Sequence, residues 1–139
     1  MIMKILSTIL LTLLIVLGAC TSPQVSPDPF VRVSNGRLTV NGKPYYYIGT
    51  NFWYGAILGS QGQGGNRERL LRELDYLKAL GINNLRVLVG ADGKDGIPTK
   101  AEPALQVEAG VYNDTIFDGL DFFLSELDKR DMYAVLRSE

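Results

Sequence analysis

One group of candidate functional residues in this sequence is Asn51, Phe52, Trp53 and Tyr54. They lie in the stretch YYYIGTNFWYG, where a run with strand character gives way to a glycine-rich loop. A flat aromatic face at a strand end can lie against the C–H face of a sugar ring, while an amide group hydrogen-bonds the sugar hydroxyls. The alternative is that Phe52 and Trp53 only pack under the loop, as aromatic side chains commonly do. The residues alone leave both interpretations open.

Arg86 is the second candidate, because it interrupts the apolar run NLRVLVG. A guanidinium in a buried strand is costly unless it is paired. It could form a structural ion pair, or it could hold a catalytic carboxylate ionised and oriented, since a nearby cation lowers a carboxyl pKa. Parallel α/β proteins build their sites at the carboxyl ends of their strands, which is where both candidates are expected.

Composition and two incomplete motifs exclude several other classes. The chain has 139 residues, a net charge of -1 and no histidine. It therefore lacks the basic footprint of a nucleic-acid-binding protein and cannot form a histidine-based nucleophile pair or metal site. GSQGQGGN is not followed by the Gly-Lys-Ser/Thr of a phosphate loop, and ADGKDG lacks calcium-ligand spacing. We interpret Asp92 and Asp95 as solvated turn residues and Glu68 and Glu73 as surface charges, and we predict neither a cofactor nor a metal site.

Residues 1–19 read as a signal peptide, with Lys4 before an apolar run that is too short to span a bilayer. The run ends in Leu17-Gly18-Ala19-Cys20, which resembles the lipobox of bacterial lipoproteins. That resemblance implies lipidation of Cys20 and export to a bacterial membrane, at the cell surface or in the periplasm. An ordinary secretory signal with a chance cysteine is the alternative. Residues 20–29 are rich in Ser and Pro and are expected to be a tether.

The elements that must position the candidates begin with a small β-meander. Asn35-Gly36 and Asn41-Gly42 separate three strand-like runs, and Asn-Gly pairs suit the tight turns of hairpins. We expect the run after the second turn to continue into a longer strand that begins at Tyr45.

The rest of the chain predicts alternating strands and helices. Leucines at three- and four-residue intervals predict a helix from Asn66, as its cap, to Gly81. A strand over 84–89, buried on both faces, is expected next, then a long loop over 91–114. A second amphipathic helix is predicted over 115–130, and a third strand begins at Met132. This β-α-β-α-β order is typical of parallel βαβ units.

Taken together, NGKPYYYIGTNFWYG, LKALGINNLRVLVG and VYNDTIFDGLDFFLSELDKRDMYAVL resemble the N-terminal part of bacterial endo-β-1,4-mannanases of glycoside hydrolase family 5. The resemblance runs from Phe30 to Leu136. It implies an α/β fold that is the N-terminal portion of a (β/α)8 TIM barrel, with about the first three strands and two helices, over residues 30–139. It also implies retaining cleavage of β-1,4-mannosidic bonds by two glutamates set about 5 Å apart.

The same resemblance implies roles for the candidates. Arg86 matches the arginine that orients the nucleophile glutamate, while Trp53, Tyr54 and, more weakly, Asn51 match substrate contacts on the glycone side of the cleft. Both catalytic glutamates are expected beyond Glu139, so we predict a truncated chain that is inactive alone, with β-mannan or mannooligosaccharides as partners. A non-catalytic carbohydrate-binding surface lipoprotein is the alternative, and a purely structural lipoprotein is a third possibility.

Overall fold

The computed structural model describes residues 28–98 and 101–138. The predicted signal peptide, Cys20 and most of the predicted tether lie outside these residues. None of the helices in the described ranges has the length and apolar character that crossing a bilayer requires. The described residues fall into two compact units, with the boundary between Tyr45 and Tyr46.

The described residues contain eight strands and three helices, which we number in chain order. They are β1 (Arg32–Ser34), β2 (Arg37–Val40), β3 (Lys43–Pro44), β4 (Gly49–Asn51), α1 (Gly55–Gly59), α2 (Arg67–Ala79), β5 (Asn84–Gly90), β6 (Gln106–Glu108), β7 (Val111–Tyr112), α3 (Asp114–Asp128) and β8 (Tyr133–Ser138).

The first unit contains the predicted β-meander. Strands β1, β2 and β3 form an antiparallel sheet in that order. Asn35 and Gly36 have φ of 50° and 72°, and Asn41 and Gly42 have φ of 50° and 74°. Both central residues of each turn therefore adopt the left-handed conformation that tight hairpins need, as the Asn-Gly pairs predict.

We expected a strand that begins at Tyr45, but the strand begins at Gly49, so its predicted first residue is wrong. The Asn83 side chain takes the backbone hydrogen bonds that a strand partner would otherwise make. Its Oδ1 accepts from the Ile48 N–H at 2.9 Å, and its Nδ2 donates to the Tyr46 carbonyl at 3.1 Å. These side-chain bonds occupy backbone groups that strand pairing would otherwise use.

The second unit has the predicted parallel β-α-β-α-β core. Strands β4, β5 and β8 are parallel and hydrogen-bonded in that order. Both main helices begin at asparagine caps: the Asn66 Oδ1 accepts from the Arg69 N–H at 2.9 Å, and the Asn113 Oδ1 from the Thr115 N–H at 3.1 Å. Gly81, with φ of 80°, ends α2 as expected.

The hydrophobic core consists mainly of alternate residues of β5 and of the apolar faces of the two long helices, which pack against them. Its largest fully buried members are Phe123, Leu70, Leu74, Leu85, Ile116, Leu127 and Val87. The face of the sheet that carries Leu85 and Val87 is called the covered face below.

Two segments that we expected to be loops contain regular structure. The GAILG stretch after the aromatic cluster forms α1, and the expected loop over 91–114 contains the antiparallel hairpin of β6 and β7. α1 packs against α3 at a pair of glycines: a Cβ on Gly59 would lie 2.3 Å from the Gly119 carbonyl oxygen, and one on Gly119 would lie 2.2 Å from the Ala56 oxygen. Only glycine allows this backbone approach.

Candidate functional site

The first candidate site is a depression on the sheet face opposite the covered face, which we call the open face. Register places Asn51 of β4 beside Arg86 of β5, and Arg86 beside Val135 of β8. The depression has a volume of about 470 Å³ and is lined by Tyr47, Gly49, Thr50, Asn51, Asn84, Arg86 and Val135. The structure thus brings together two of the predicted site residues, Asn51 and Arg86.

Arg86 is exposed on this face, so the expectation of a strand buried on both faces is wrong. Its neighbours Leu85 and Val87 are fully buried on the covered face. One guanidinium nitrogen, Nη1, lies 3.5 Å from the Asn51 Oδ1, a long and therefore weak hydrogen bond. Within residues 28–98 and 101–138, no carboxylate forms a salt bridge with Arg86. The structural ion pair that we considered is absent from this part of the chain.

Trp53 and Tyr54 line a second depression, which shares no lining residue with the first. Its volume is about 300 Å³, and its walls are Trp53, Tyr54, Ile57, Leu58, Gly64 and Arg69. The aromatic cluster is divided by burial: Phe52 is 3% exposed and stacks on Phe123 with ring centroids 5.8 Å apart, whereas Trp53 is 53% exposed. The packing interpretation therefore holds for Phe52 but not for Trp53.

Hydrogen bonds connect two residues that line this second depression, Tyr54 and Arg69, to Glu73 of α2. The Tyr54 hydroxyl donates to the Glu73 Oε2 at 2.7 Å, and the Arg69 Nε donates to the Glu73 Oε1 at 2.6 Å. Burial works to raise the pKa of Glu73, but the hydrogen bonds from Tyr54 and Arg69 outweigh it and lower that pKa. Burial and the bond to Glu73 raise the pKa of Tyr54. Glu73 is thus a partly buried anchor rather than the surface charge that we expected.

Glu126 is a buried charge that sequence reasoning missed. It is 6% exposed on α3 and accepts hydrogen bonds from Lys129 at 2.5 Å and from Arg130 at 2.8 Å. These bonds lower the pKa of Glu126. Arg130 also pairs with Asp75 of α2 at 2.8 Å, so the group fastens the two long helices together. The signal was present, since Glu126 lies three residues after the buried Phe123, on the apolar side of the helix.

Asp92 and Asp95 lie in the loop after β5, where Asp95 makes a structural hydrogen bond. Asp92 and Asp95 are both exposed, as expected, but the Asp95 Oδ1 also accepts from the Ala104 N–H at 2.8 Å and so fastens the loop. The part of the chain that the structure describes contains no group of three or more acidic, cysteine or histidine residues placed to hold a metal ion.

The parallel sheet and its connecting helices form part of an α/β barrel. A family model described as glycoside hydrolase family 5 beta-mannosidase-like matches residues 28–139. The chain therefore belongs to this family, and its fold is the N-terminal portion of a (β/α)8 barrel, as predicted.

Relatives and solved structures agree with this family. The chain is 31% identical over 122 residues to the putative mannan endo-1,4-beta-mannosidase 9 of Oryza sativa subsp. japonica, covering 88% of this chain and 28% of the relative. The Mannan endo-1,4-beta-mannosidase 5 of Solanum lycopersicum is 31% identical over 77% of this chain and 24% of the relative.

The crystal structure of a family 5 mannosidase from Rhizomucor miehei matches with a TM-score of 0.73 and 36% identity, over 78% of this chain and 27% of that chain. A glutamate mutant of that enzyme was solved in complex with mannosyl-fructose. The chain thus spans about a quarter of the length of the proteins that it matches.

Proposed function

We propose that a protein containing this chain hydrolyses internal β-1,4-mannosidic bonds of mannans, with retention of anomeric configuration. The observation that carries this proposal is the family match over residues 28–139, together with relatives named as mannan endo-1,4-beta-mannosidases. The substrate is β-mannan or a mannooligosaccharide. Two glutamates from outside the described residues act as acid/base and nucleophile.

Arg86 and Asn51 act on the open face in this proposal. Arg86 makes no salt bridge in the described residues, so its guanidinium remains able to meet the nucleophile glutamate. A bidentate pair with that carboxylate would keep it ionised and aligned with the anomeric carbon. The Asn51 amide lies beside Arg86 and can hydrogen-bond a sugar hydroxyl. Substrate contact by Trp53 and Tyr54 stays a prediction, at a different depression.

Residues 20–139 alone are expected to be inactive. The three parallel strands read GTN, NLRVLVG and YAVLRS, and none of them carries a carboxylate. Glu73 and Glu126 lie on the long helices, where Tyr54 and Arg130 respectively donate hydrogen bonds to them. The lining of the open-face depression contains no carboxylate either, so the described residues offer no pair there for a retaining mechanism.

A chimera tests the activity. Residues 28–138 would replace the matching segment of the Rhizomucor miehei mannosidase, and the product would be assayed on β-mannan, cellulose and xylan. We expect release of mannooligosaccharides from mannan, with retention seen in the NMR signals of the first anomer formed, and no release by residues 20–139 alone. A folded chimera that does not cleave mannan, or sugar release by residues 20–139 alone, would contradict the proposal.

Arg86→Lys in the chimera isolates the orienting role. Lysine keeps the charge but loses the planar fork, so we expect kcat to fall about a hundredfold or more, with little change in KM. Arg72→Lys is the matched control, because Arg72 is an exposed arginine of α2 paired with Glu68. It should leave both constants unchanged.

Export and lipid anchoring at Cys20 belong to the same proposal. They are supported by the lipobox-like sequence before Cys20. In a bacterial host, the full chain should incorporate labelled fatty acid and remain with the membrane fraction, whereas Cys20→Ala should abolish the label. Labelling of the Cys20→Ala variant, or no labelling of the original chain, would count against the anchor.

A further inference from the structure

We infer that Glu73 of α2 is a positioning residue for substrate binding: it fixes the Tyr54 ring, and the Tyr54 ring fixes the orientation of Trp53. This role rests on the proposed function, in which Trp53 contacts a mannan chain. It goes beyond that function, because Glu73 lines neither depression and no catalytic or substrate-contact role is predicted for it.

The helix gives Glu73 a fixed place. Leu70 and Leu74, one turn before Glu73 and directly after it, are fully buried in the core. The Asn66 side chain caps the start of the same helix by accepting from the Arg69 N–H at 2.9 Å. The backbone at Glu73 therefore cannot shift without moving the core, and its side chain, 28% exposed, extends from a rigid support.

The carboxylate of Glu73 holds the end of the Tyr54 side chain. The Tyr54 hydroxyl donates to Oε2 at 2.7 Å, while the Arg69 Nε donates to Oε1 at 2.6 Å and fixes the carboxylate from its other side. Burial works to raise the pKa of Glu73, but these hydrogen bonds and the charges of Arg69 and Arg72 lower it. The group is thus ionised at neutral pH, and hydrogen bonds to an ionised acceptor are the stronger kind.

The Tyr54 ring is confined and in turn confines the indole. Phe52 lies against it with centroids 4.6 Å apart, and the Arg69 guanidinium lies 5.7 Å from its centroid. The Trp53 ring meets it edge-on, at 80° and 5.4 Å between centroids. Trp53 is 53% exposed, so Tyr54 is an important restraint on how it turns. An indole that is oriented before a ligand arrives avoids the entropy cost of ordering on binding.

The separation of Trp53 from Arg86 decides which kinetic constant Glu73 affects. The two residues line different depressions that share no residue, and only Arg86 is placed to meet the nucleophile glutamate. An interaction remote from the reacting bond is made equally in the ground state and in the transition state. Its loss raises KM and leaves kcat unchanged. This is the opposite of the effect expected for Arg86→Lys.

Mannohexaose hydrolysis by the chimera tests this division. Glu73→Ala should raise KM about fivefold and leave kcat within about twofold, because only the order of the indole is lost. Glu68→Ala is the matched control, since Glu68 is an exposed glutamate of α2 that pairs with Arg72. It should leave both constants unchanged. Circular dichroism would confirm that each variant is folded.

Double variants separate positioning from a merely structural role. Trp53→Ala alone should raise KM about tenfold, and adding Glu73→Ala should raise it no further, because Glu73 acts through Trp53. Tyr54→Phe removes only the hydroxyl that Glu73 accepts from. It should therefore match Glu73→Ala, and the two together should be no worse than either alone. Effects that multiply would show that Glu73 acts by another route and would overturn the inference.

Fluorescence of the full chain gives a readout that needs no activity, because Trp53 is its only tryptophan. The fast component of the time-resolved anisotropy decay reports how freely the indole turns on the nanosecond timescale. Its amplitude should rise about twofold in Glu73→Ala and in Tyr54→Phe, and it should not change in Glu68→Ala.

Three further outcomes distinguish this role from the hydrolysis. Unchanged anisotropy in folded Glu73→Ala, or unchanged KM in the active chimera, would overturn the positioning role and leave the hydrolysis standing. An unchanged KM in Trp53→Ala would overturn both the substrate contact and the positioning role, again with the hydrolysis intact. A folded chimera without activity would contradict the hydrolysis, and the anisotropy of the full chain would then decide whether Glu73 holds Trp53.

Discussion

The covered and open faces of β5 differ in the burial and in the polarity of the residues that they carry. On β5, Leu85 and Val87 are fully buried in the core, while Arg86 between them is exposed. Because successive strand residues point to opposite faces, a single strand supplies both packing and a charged group. The covered face therefore sets the stability of this part of the barrel, while the open face can carry polar residues at little cost.

The strongest way to test this division is Phe123→Ala, on α3 in the core that contains Leu85 and Val87 of the covered face. Phe123 is fully buried and stacks on Phe52, so we expect the free energy of unfolding to fall by about 3–5 kcal/mol. Urea unfolding of the full chain measures the change. Phe117→Ala, on the same helix but 37% exposed, should cost about 1 kcal/mol. Equal losses of stability for the two variants would contradict the conclusion that the core against the covered face sets the stability.

The next effect concerns the buried charge on α3. Glu126→Gln removes a carboxylate that accepts from Lys129 and Arg130, and it should cost about 1–3 kcal/mol at neutral pH. Because the folded pKa of Glu126 is lowered, its contribution is present above the ordinary glutamate pKa of about 4.3 and is lost as the pH falls through the folded value.

The difference in unfolding free energy between wild type and Glu126→Gln should therefore shrink as the solution is made acidic. Urea unfolding at a series of pH values between neutral and acid measures it. Glu68→Gln is the control, since that pair is exposed and contributes little at any pH. A difference that stays constant into acid would contradict the assignment.

The smallest effect on stability is expected on the open face. Arg86→Lys should change the free energy of unfolding by about 0.5 kcal/mol or less, because the side chain is exposed and forms only a long contact with Asn51. The same substitution is expected to abolish most activity of the chimera. A large loss of stability would show that Arg86 is structural and would undermine the functional division between the faces.

Local signals in the sequence predicted much of the fold. The Asn-Gly turns, the asparagine caps, the leucine periodicity of α2 and the parallel order of the strands all depend on residues close together in the chain. α1 was missed because five residues cannot show a helical period, and the hairpin of β6 and β7 because its strands have three and two residues.

The candidate site was predicted less fully. The residue types of Asn51, Trp53, Tyr54 and Arg86 pointed to β4, to the segment after it and to β5, but their grouping could not be read from the sequence. Whether Arg86 is buried depends on which face the helices cover, and the separation of Trp53 from Arg86 depends on where α1 turns the chain. Both are tertiary properties, for which one sequence has no local signal.

The contact between Gly59 and Gly119 imposes an order on assembly during synthesis. α1 has only five residues, too few to persist as an isolated helix, and the helix on which it rests is made much later in the chain. While the ribosome is still adding the segment between them, α1 lacks that support, and the wall that it gives to the second depression is not yet fixed. The segment after β4 therefore reaches its final packing only when α3 has been synthesised and has docked against α1.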